Sequence, residues 1–190
     1  METLKQFFNN QSAVSPEAWE VIRAKFTEFN FKKNEYLIRE GQHAAYKFFI
    51  AKGITRTFYI KEGKEITVDF NFENTFVDSY VSFLTGNPSR CYIQALEQTK
   101  CYKIKKENLN QLYSDYKLGE RLGRIIVEKR LLDKELREAT LLLDSPKERF
   151  LWLQENHKDW LQRIPQQHLA SYIGISPETY SRYKKAYLNQ

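Results

Sequence analysis

The sequence predicts an α+β protein in which a β-rich region with flanking helices is followed by a long helix and a C-terminal pair of short helices. Short apolar runs rich in β-branched and aromatic residues recur between Tyr36 and Lys106, at the spacing of about 8–12 residues typical of an antiparallel barrel or sandwich. An apolar heptad seam follows these runs. The last 34 residues hold 5 basic and 2 acidic side chains and carry the pattern of two helices that cross at a tight turn.

The composition excludes several classes of protein. Of the 190 residues, 42% are hydrophobic and 28% are charged, as in a globular chain. No apolar run approaches the roughly 18 residues of a membrane helix, and the N-terminus lacks the pattern of a signal peptide. Cys91 and Cys101 do not make a disulfide framework, so we expect a cytoplasmic protein with no membrane partner. The histidines and cysteines have no metal-ligand spacing, so no metal site is expected.

Before the β-rich region, the sequence predicts an amphipathic helix over residues 16–29. Ser15 supplies its cap and Pro16 its first helical position. Its apolar residues recur at helical intervals: Trp19, Ile22, Phe26 and Phe29.

The β-rich region contains six candidate strands. Gly41, Gly53 and Gly63 separate some of them, and the segment 61–64 predicts a hairpin turn. Residues 76–89 instead predict a short helical turn and a loop. The candidate strands are YLIRE, YKFFIA, ITRTFYI, EITVDFNF, CYIQALE and TKCYKIK.

A short helix from Glu107 precedes a long helix whose apolar residues recur with the spacing of a coiled coil. Lys129 is the one polar residue in this seam. A single helix packed on its own barrel is the alternative, but a length of ~40 Å at ~1.5 Å per residue favours self-association. The predicted dimer seam consists of Leu118, Leu122, Ile125, Leu132 and Leu136.

The C-terminal segment predicts a helix-turn-helix, with a first helix over Gln166–Ile173 and a recognition helix over Pro177–Tyr187. Ala170 is small enough for the two helices to approach closely, and Gly174 can adopt the positive φ that the turn requires. Ser176 is the predicted N-cap of the second helix. The apolar residues expected between the helices are Leu169, Ile173, Ile175, Tyr180 and Tyr183.

The helix-turn-helix provides two sets of candidate DNA contacts. Arg182 can donate to the O6/N7 edge of guanine, and Glu178 can accept from the cytosine amino group. The helix dipole offers alternative explanations for Glu178 at the helix start and for the lysines near the helix end. The expected base-contacting residues are Pro177, Glu178, Ser181 and Arg182. The expected phosphate contacts are Gln166, Gln167, Ser176, Thr179, Lys184 and Lys185.

The order of these parts resembles the cyclic-AMP receptor protein and fumarate–nitrate reductase regulator (Crp/Fnr) superfamily, and in particular its short Bacteroidetes-type members. The stretches that carry the resemblance are FFIAKGITRTFYIKEGKEIT, SRCYIQALEQTKCYKI and IPQQHLASYIGISPETYSR. The resemblance implies an N-terminal double-stranded β-helix, or β-roll, as effector-sensing domain over residues 1–116. It also implies a dimerisation helix over 117–144 and a helix-turn-helix DNA-binding domain over 145–190.

The resemblance further implies a transcriptional regulator that binds a near-palindromic operator as a homodimer. Glu178 and Arg182 fall on the family's base-contacting positions, and Pro177 replaces a frequent arginine, so the operator should differ from the best-known one. The stretch Gln154–Arg163 leaves little room for a β-hairpin wing. The implied partners are double-stranded DNA, a second copy of the chain and, as a further candidate, RNA polymerase.

The resemblance departs from the family's pattern at the nucleotide pocket. Cyclic-nucleotide-binding members carry a Gly-Glu pair and an Arg followed by Ser or Thr, but Asp78-Ser79 occupies the first position here and Ser89 the second. Arg90 is displaced by one residue, which in a strand turns the side chain to the other face. We therefore take these four residues only as a candidate effector pocket, expect no cyclic nucleotide, and leave the cofactor or effector unidentified.

The sequence predicts a protein without catalytic activity. Asp69, Glu73 and Asp78 lie near one another in the chain, but no nucleophile–base pair, phosphate loop or metal set accompanies them. The alternative function is a ligand- or protein-binding β-roll module whose helical tail does not bind DNA.

Overall fold

The computed structural model describes the backbone of residues 1–11, 13–115 and 117–189, and the side chains of 1–11, 13–114, 121 and 123–189. The helices are α1 (Glu2–Gln11), α2 (Pro16–Ala24), α3 (Tyr80–Thr85), α4 (Lys106–Asp115), α5 (Lys117–Leu143), α6 (Pro146–Asn156), α7 (Lys158–Arg163), α8 (Gln166–Tyr172) and α9 (Pro177–Leu188). The strands are β1 (Phe26–Phe31), β2 (Tyr36–Ile38), β3 (Tyr46–Lys52), β4 (Thr55–Lys61), β5 (Lys64–Asn71), β6 (Phe76–Val77), β7 (Tyr92–Ala95) and β8 (Thr99–Lys105).

The chain forms two compact units. One comprises residues 1–58 and 70–128, and the other comprises residues 59–69 and 129–190. We call residues 59–69, the outer part of the β4–β5 hairpin, the hairpin arm. The arm therefore belongs to the same unit as the C-terminal helices.

The strands of the described chain form two four-stranded sheets, with the orders β1-β8-β3-β6 and β2-β7-β4-β5. Phe26 pairs with Ile104 and Phe31 with Thr99 across the antiparallel β1–β8 ladder. The apolar core of the first unit includes Phe31, Phe48, Ile50, Val77, Ile93 and Cys101. This α+β arrangement is consistent with the β-roll, followed by helices, that the resemblance implies.

The prediction of one helix over residues 16–29 is wrong in its second half. The helix has the expected Ser15 cap and Pro16, but it ends at Ala24, and Phe26 begins a strand. Phe26 and Phe29 fit a helical period by coincidence. Their segment, FTEFNF, instead pairs with β8 as an antiparallel strand. This long-range pairing, and not the local spacing of apolar residues, determines its conformation.

The six candidate strands are confirmed as β2, β3, β4, β5, β7 and β8. The turn after β4 has positive φ at both Glu62 and Gly63, as a two-residue type I′ turn requires. The sequence does not predict β1 or the two-residue β6, nor the N-terminal helix α1. The short helix α3 ends on Gly86 in the left-handed conformation, as residues 76–89 suggest.

The long helix extends over Lys117–Leu143, and a capping box at Ser145 and Glu148 begins α6. Residues 158–163 form α7, so the stretch expected to exclude a wing is helical. No helix of the described chain has the length and apolar character required to span a bilayer. The three-part division of the chain at residues 116 and 144 stays a prediction.

Candidate nucleic-acid interface

The turn between α8 and α9 is a Schellman motif centred on Gly174. The N–H of Gly174 donates to the carbonyl of Ser171 at 3.2 Å, and the N–H of Ile175 donates to the carbonyl of Ala170 at 3.0 Å. Gly174 has a φ of 69°, which favours glycine over any residue with a Cβ. Gly174 therefore provides the positive φ of the turn, as the sequence predicts, and the two Schellman hydrogen bonds stabilise this conformation.

A small apolar core holds α6, α8 and α9 together. Phe150 packs edge-on against Tyr180 with ring centroids 5.2 Å apart. The buried Tyr180 hydroxyl accepts a hydrogen bond from Nε2 of Gln154 at 3.1 Å. The other buried apolar residues in this part of the chain are Leu153, Ile164, Leu169, Ala170 and Ile173.

Arg149 is a buried residue of this core that sequence analysis did not select. Its Nε donates to the carbonyl of Ile173 at 2.7 Å, and its Nη1 donates to the carbonyl of Asp144 at 2.6 Å. These carbonyls lie at the C-terminal ends of α8 and α5, where helix carbonyls lack partners within the helix. An arginine in the first turn of a capped helix is usually exposed to solvent. The local sequence therefore does not distinguish the buried Arg149 from an ordinary surface arginine.

The first turn of α9 is well capped. The hydroxyl of Ser176 accepts from the N–H of Thr179 and lies within hydrogen-bond distance of its hydroxyl, both at 3.2 Å. The hydrogen bond with Ser176, together with a backbone N–H, lowers the pKa of Glu178 below its ordinary value. Glu178 is therefore an ionised acceptor at the start of an exposed helix.

The candidate base contacts lie together on α9. Pro177, Glu178, Ser181 and Arg182 are all exposed, with the i, i+1, i+4, i+5 spacing of one helix face. The guanidinium of Arg182 lies 5.5 Å from the centroid of the Tyr183 ring and is not buried in the core. Of the candidate phosphate contacts, Gln166, Gln167, Ser176 and Lys185 are exposed, whereas Thr179 and Lys184 are half-buried.

The described part of the predicted dimer seam exposes large apolar side chains. Leu132 and Leu136 are 58% and 59% exposed, and Ile125 is half-buried. The side chains of Leu118 and Leu122 lie outside the described residues. Leu131, which is off the seam, is equally exposed at 57%, so exposure alone does not define the contact face.

Three of the four candidate effector residues, Asp78, Ser79 and Ser89, form contacts with one another or with their neighbours. The hydroxyl of Ser89 lies 2.9 Å from that of Ser79 and 2.8 Å from the carbonyl of Cys91. Asp78, which is buried, forms an ion pair with Nζ of Lys47 at 3.0 Å. Ser79, Ser89 and Cys91 are buried as well.

This arrangement does not fit a cyclic nucleotide. A cyclic phosphate at Ser89 would have to replace hydrogen bonds that are already made, beside the carboxylate of Asp78. Arg90, the nearest cation in sequence, is exposed. The four candidate residues therefore provide two buried hydroxyls and a buried carboxylate, whereas their one arginine is exposed and not buried where it could neutralise a phosphate. Elsewhere, the described residues contain no group of three or more metal-ligating side chains.

Comparison with known proteins identifies the β-rich region. Residues 28–116 match the family model of the cyclic nucleotide-binding domain. A sequence comparison with curated proteins finds no significant match.

Solved structures extend the likeness over nearly the whole chain. FixK2 from Bradyrhizobium japonicum has a TM-score of 0.74 at 20% identity, covering 87% of this chain and 85% of that one. CLP from Xanthomonas campestris, described as a c-di-GMP responsive global regulator, has a TM-score of 0.74 at 19% identity and 92% coverage of both chains. A Crp/Fnr-family protein from Eubacterium rectale has a TM-score of 0.73 at 16% identity, covering 96% and 88%.

These comparisons confirm the resemblance that the sequence carries, while the finer likeness to Bacteroidetes-type members stays a prediction. Residues 28–116 match the model of the cyclic nucleotide-binding domain, and the chain has the fold of solved structures that include a Crp/Fnr-family protein.

Proposed function

We propose that the protein is a sequence-specific DNA-binding transcriptional regulator of the Crp/Fnr type and that it acts as a homodimer. The observation that carries this proposal is the exposed face of α9, on which Glu178 and Arg182 lie beside each other after a capped helix start. In this proposal α8 and α9 form a helix-turn-helix, and α9 is the recognition helix.

The chemistry of α9 suits the major groove. Arg182 presents two parallel N–H donors that match the O6 and N7 acceptors of guanine. Glu178 is ionised and exposed, so it can accept from the amino group of cytosine. Pro177 and Ser181 complete the face, and apolar contact with a thymine methyl group is open to Pro177.

The polar residues around α9 suit the DNA backbone. Phosphate contacts set the position of the protein on the duplex and do not select sequence. The exposed amides of Gln166 and Gln167 can donate to phosphate oxygens. Lys184 and Lys185, with the hydroxyls of Ser176 and Thr179, complete the proposed phosphate-contacting set.

The proposed dimer rests on α5. Leu132 and Leu136 expose apolar surface on consecutive seam positions of this helix. A second copy would bury this surface in a parallel coiled coil. The two-fold axis would place two recognition helices in successive major grooves about 34 Å apart, which requires a near-palindromic operator.

Three further features of the proposal come from the resemblance. They are regulation by an unidentified effector in the β-roll near Asp78, Ser79, Ser89 and Arg90, contact with RNA polymerase, and a cytoplasmic location. The bonded state of Ser79 and Ser89 favours an effector other than a cyclic nucleotide.

The experiment that tests the proposal selects bound duplexes from a random pool and measures the salt dependence of the winners. We expect a near-palindromic consensus and a logarithmic affinity that falls linearly with the logarithm of salt concentration. Undetectable or salt-insensitive binding would contradict the proposal. It would favour the alternative, a β-roll module whose helical tail does not bind DNA.

A further inference from the structure

The hairpin arm presents an open strand edge. β5 is the last strand of the order β2-β7-β4-β5, so the strands of the described residues leave one of its edges without a neighbouring strand. Such an edge exposes N–H and C=O groups that need partners. Glu65 and Thr67 are two residues apart and therefore direct their backbone groups to the same edge.

Ser171 of α8 takes the place of a neighbouring strand at this edge. Its hydroxyl accepts from the N–H of Thr67 at 2.9 Å and donates to the carbonyl of Glu65 at 3.0 Å. One side-chain hydroxyl thus satisfies a donor and an acceptor of the strand. The two contacts join residues that are more than 100 positions apart in sequence, within one compact unit.

Arg137 of α5 completes the contact. Its Nη2 donates to the carbonyl of Thr67 at 3.1 Å and to the carbonyl of Tyr172 at 3.1 Å. The guanidinium also lies 4.8 Å from the centroid of the Tyr172 ring. Burial raises the pKa of Tyr172 to about 12, so this ring stays neutral at physiological pH. The arm, α5 and the last turn of α8 therefore meet at Ser171 and Arg137.

This junction lies directly before the turn that carries α9. Ser171 and Tyr172 are the last two residues of α8, and Gly174 begins the change of direction to α9. The same unit contains the seam residues Leu132 and Leu136. The geometry that relates the proposed dimer axis to the proposed recognition helix is thus set within this unit.

We propose that Ser171 and Arg137 are positioning residues that hold α8 against the hairpin arm and thereby set the half-site spacing that the dimer accepts. This inference rests on the proposed DNA-binding function. Neither residue lies on the proposed base-contacting face. Their removal leaves the chemistry of each half-site contact intact and loosens only the direction of α9.

The test compares the wild type, Ser171→Ala, Ser171→Thr and Arg137→Gln on the selected operator and on operators with the half-sites one or two base pairs closer or farther apart. We expect the affinity of the wild type to fall about tenfold or more for each base pair by which the half-site spacing changes. The affinities of Ser171→Ala and Arg137→Gln should fall only about threefold or less for the same change in spacing. Affinity for an isolated half-site should be unchanged. Ser171→Thr keeps the hydroxyl and should keep the preference. Ser114→Ala, which removes a hydroxyl that donates within α4 to the carbonyl of Asn110, is the matched control.

A second measurement separates failure of this inference from failure of the proposed function. Amide hydrogen exchange of Thr67 reports its bond to Ser171 without DNA, and it should accelerate in Ser171→Ala. If the wild type binds no duplex, the proposed function fails, and the inference falls with it even if Thr67 responds. If the wild type binds DNA, each of three results would overturn the positioning role. They are an equal loss of affinity on all half-site spacings in Ser171→Ala, an unchanged spacing preference in that variant, and an unchanged exchange rate of its Thr67 amide.

Discussion

Nε of Arg149 donates to the carbonyl of Ile173 at 2.7 Å, so a side chain from the first turn of α6 caps the C-terminal end of α8. The same guanidinium reaches the carbonyl of Asp144 at the end of α5. One residue therefore connects the end of the long helix to the turn before α9. Arg149 therefore contributes to the position of both helix ends.

Arg149→Met should destabilise the protein, because it leaves two backbone carbonyls without their donors. We expect a loss of about 1–3 kcal/mol in the free energy of unfolding, measured by urea denaturation. Lys147→Met changes an exposed cation in the same helical turn and serves as the control. It should change stability by no more than about 0.5 kcal/mol. An equal effect of both substitutions would show that the carbonyl contacts contribute nothing specific.

Leu132→Glu should convert the proposed dimer into a monomer, because it places a charge in an apolar seam. Leu131→Glu is the matched control, since Leu131 has nearly the same exposure but lies off the seam. Sedimentation velocity at micromolar concentration measures the outcome. A wild type that sediments as a monomer, or a dimer that survives Leu132→Glu, would remove this helix as the dimer contact.

Arg182→Ala should weaken binding to the selected operator by about 1–3 kcal/mol and relax preference at one base pair. Lys184→Ala should weaken all sequences alike and reduce the magnitude of the salt slope by about one. Titrations on the operator and on mixed duplex DNA at several salt concentrations distinguish the two. Equal losses for Arg182→Ala on both duplexes would remove it as a base contact.

Asp78→Asn should destabilise the β-roll by about 3–5 kcal/mol, because it leaves the largely buried ammonium of Lys47 without its carboxylate. The double variant with Lys47→Met should recover part of this loss. A double-mutant cycle of unfolding free energies measures the coupling. Additive losses in the cycle would show that the two residues contribute independently.

The stability of the protein should fall as pH drops below neutrality, in part through His157. Burial lowers the pKa of His157 below its ordinary value of 6.5, and its ring contacts the rings of Trp152 and Trp160. The unfolded chain then binds a proton that the folded chain does not, so stability is complete above about pH 6.5 and declines as pH falls toward the folded pKa. His157→Phe should flatten the dependence of Tm on pH between 7.5 and 5. The same slope in both proteins would assign the effect to other groups.

Much of the C-terminal region could be predicted because its determinants are local. The bounds of α9 follow from Ser176 and Pro177, and the turn before it follows from Gly174. A cap or a left-handed glycine acts on its own neighbours, so sequence order is enough to locate it. The hairpin turn at Glu62 and Gly63 was predictable for the same reason.

The β-roll was predictable as a set of strands but not in its details. Phe26 and Phe29 have helical spacing and yet belong to β1, because pairing with β8 determines their conformation. The two-residue strand β6 has no sequence signal of its own. The candidate effector pocket stays a prediction, and only the fold shows that two of its residues, Ser79 and Ser89, form a hydrogen bond with each other.

By itself the sequence determined the α+β fold class, the long helix and the capped start and exposed face of α9. These features depend on periodicity, caps and glycines, which act over a few residues. Tertiary structure alone decided that Arg149 caps α8, that Asp78 pairs with Lys47, and that Ser171 completes the edge of β5. Each of these contacts joins a polar side chain to a distant partner, and the cost of leaving a buried polar group unbonded selects that partner only once the chain has folded.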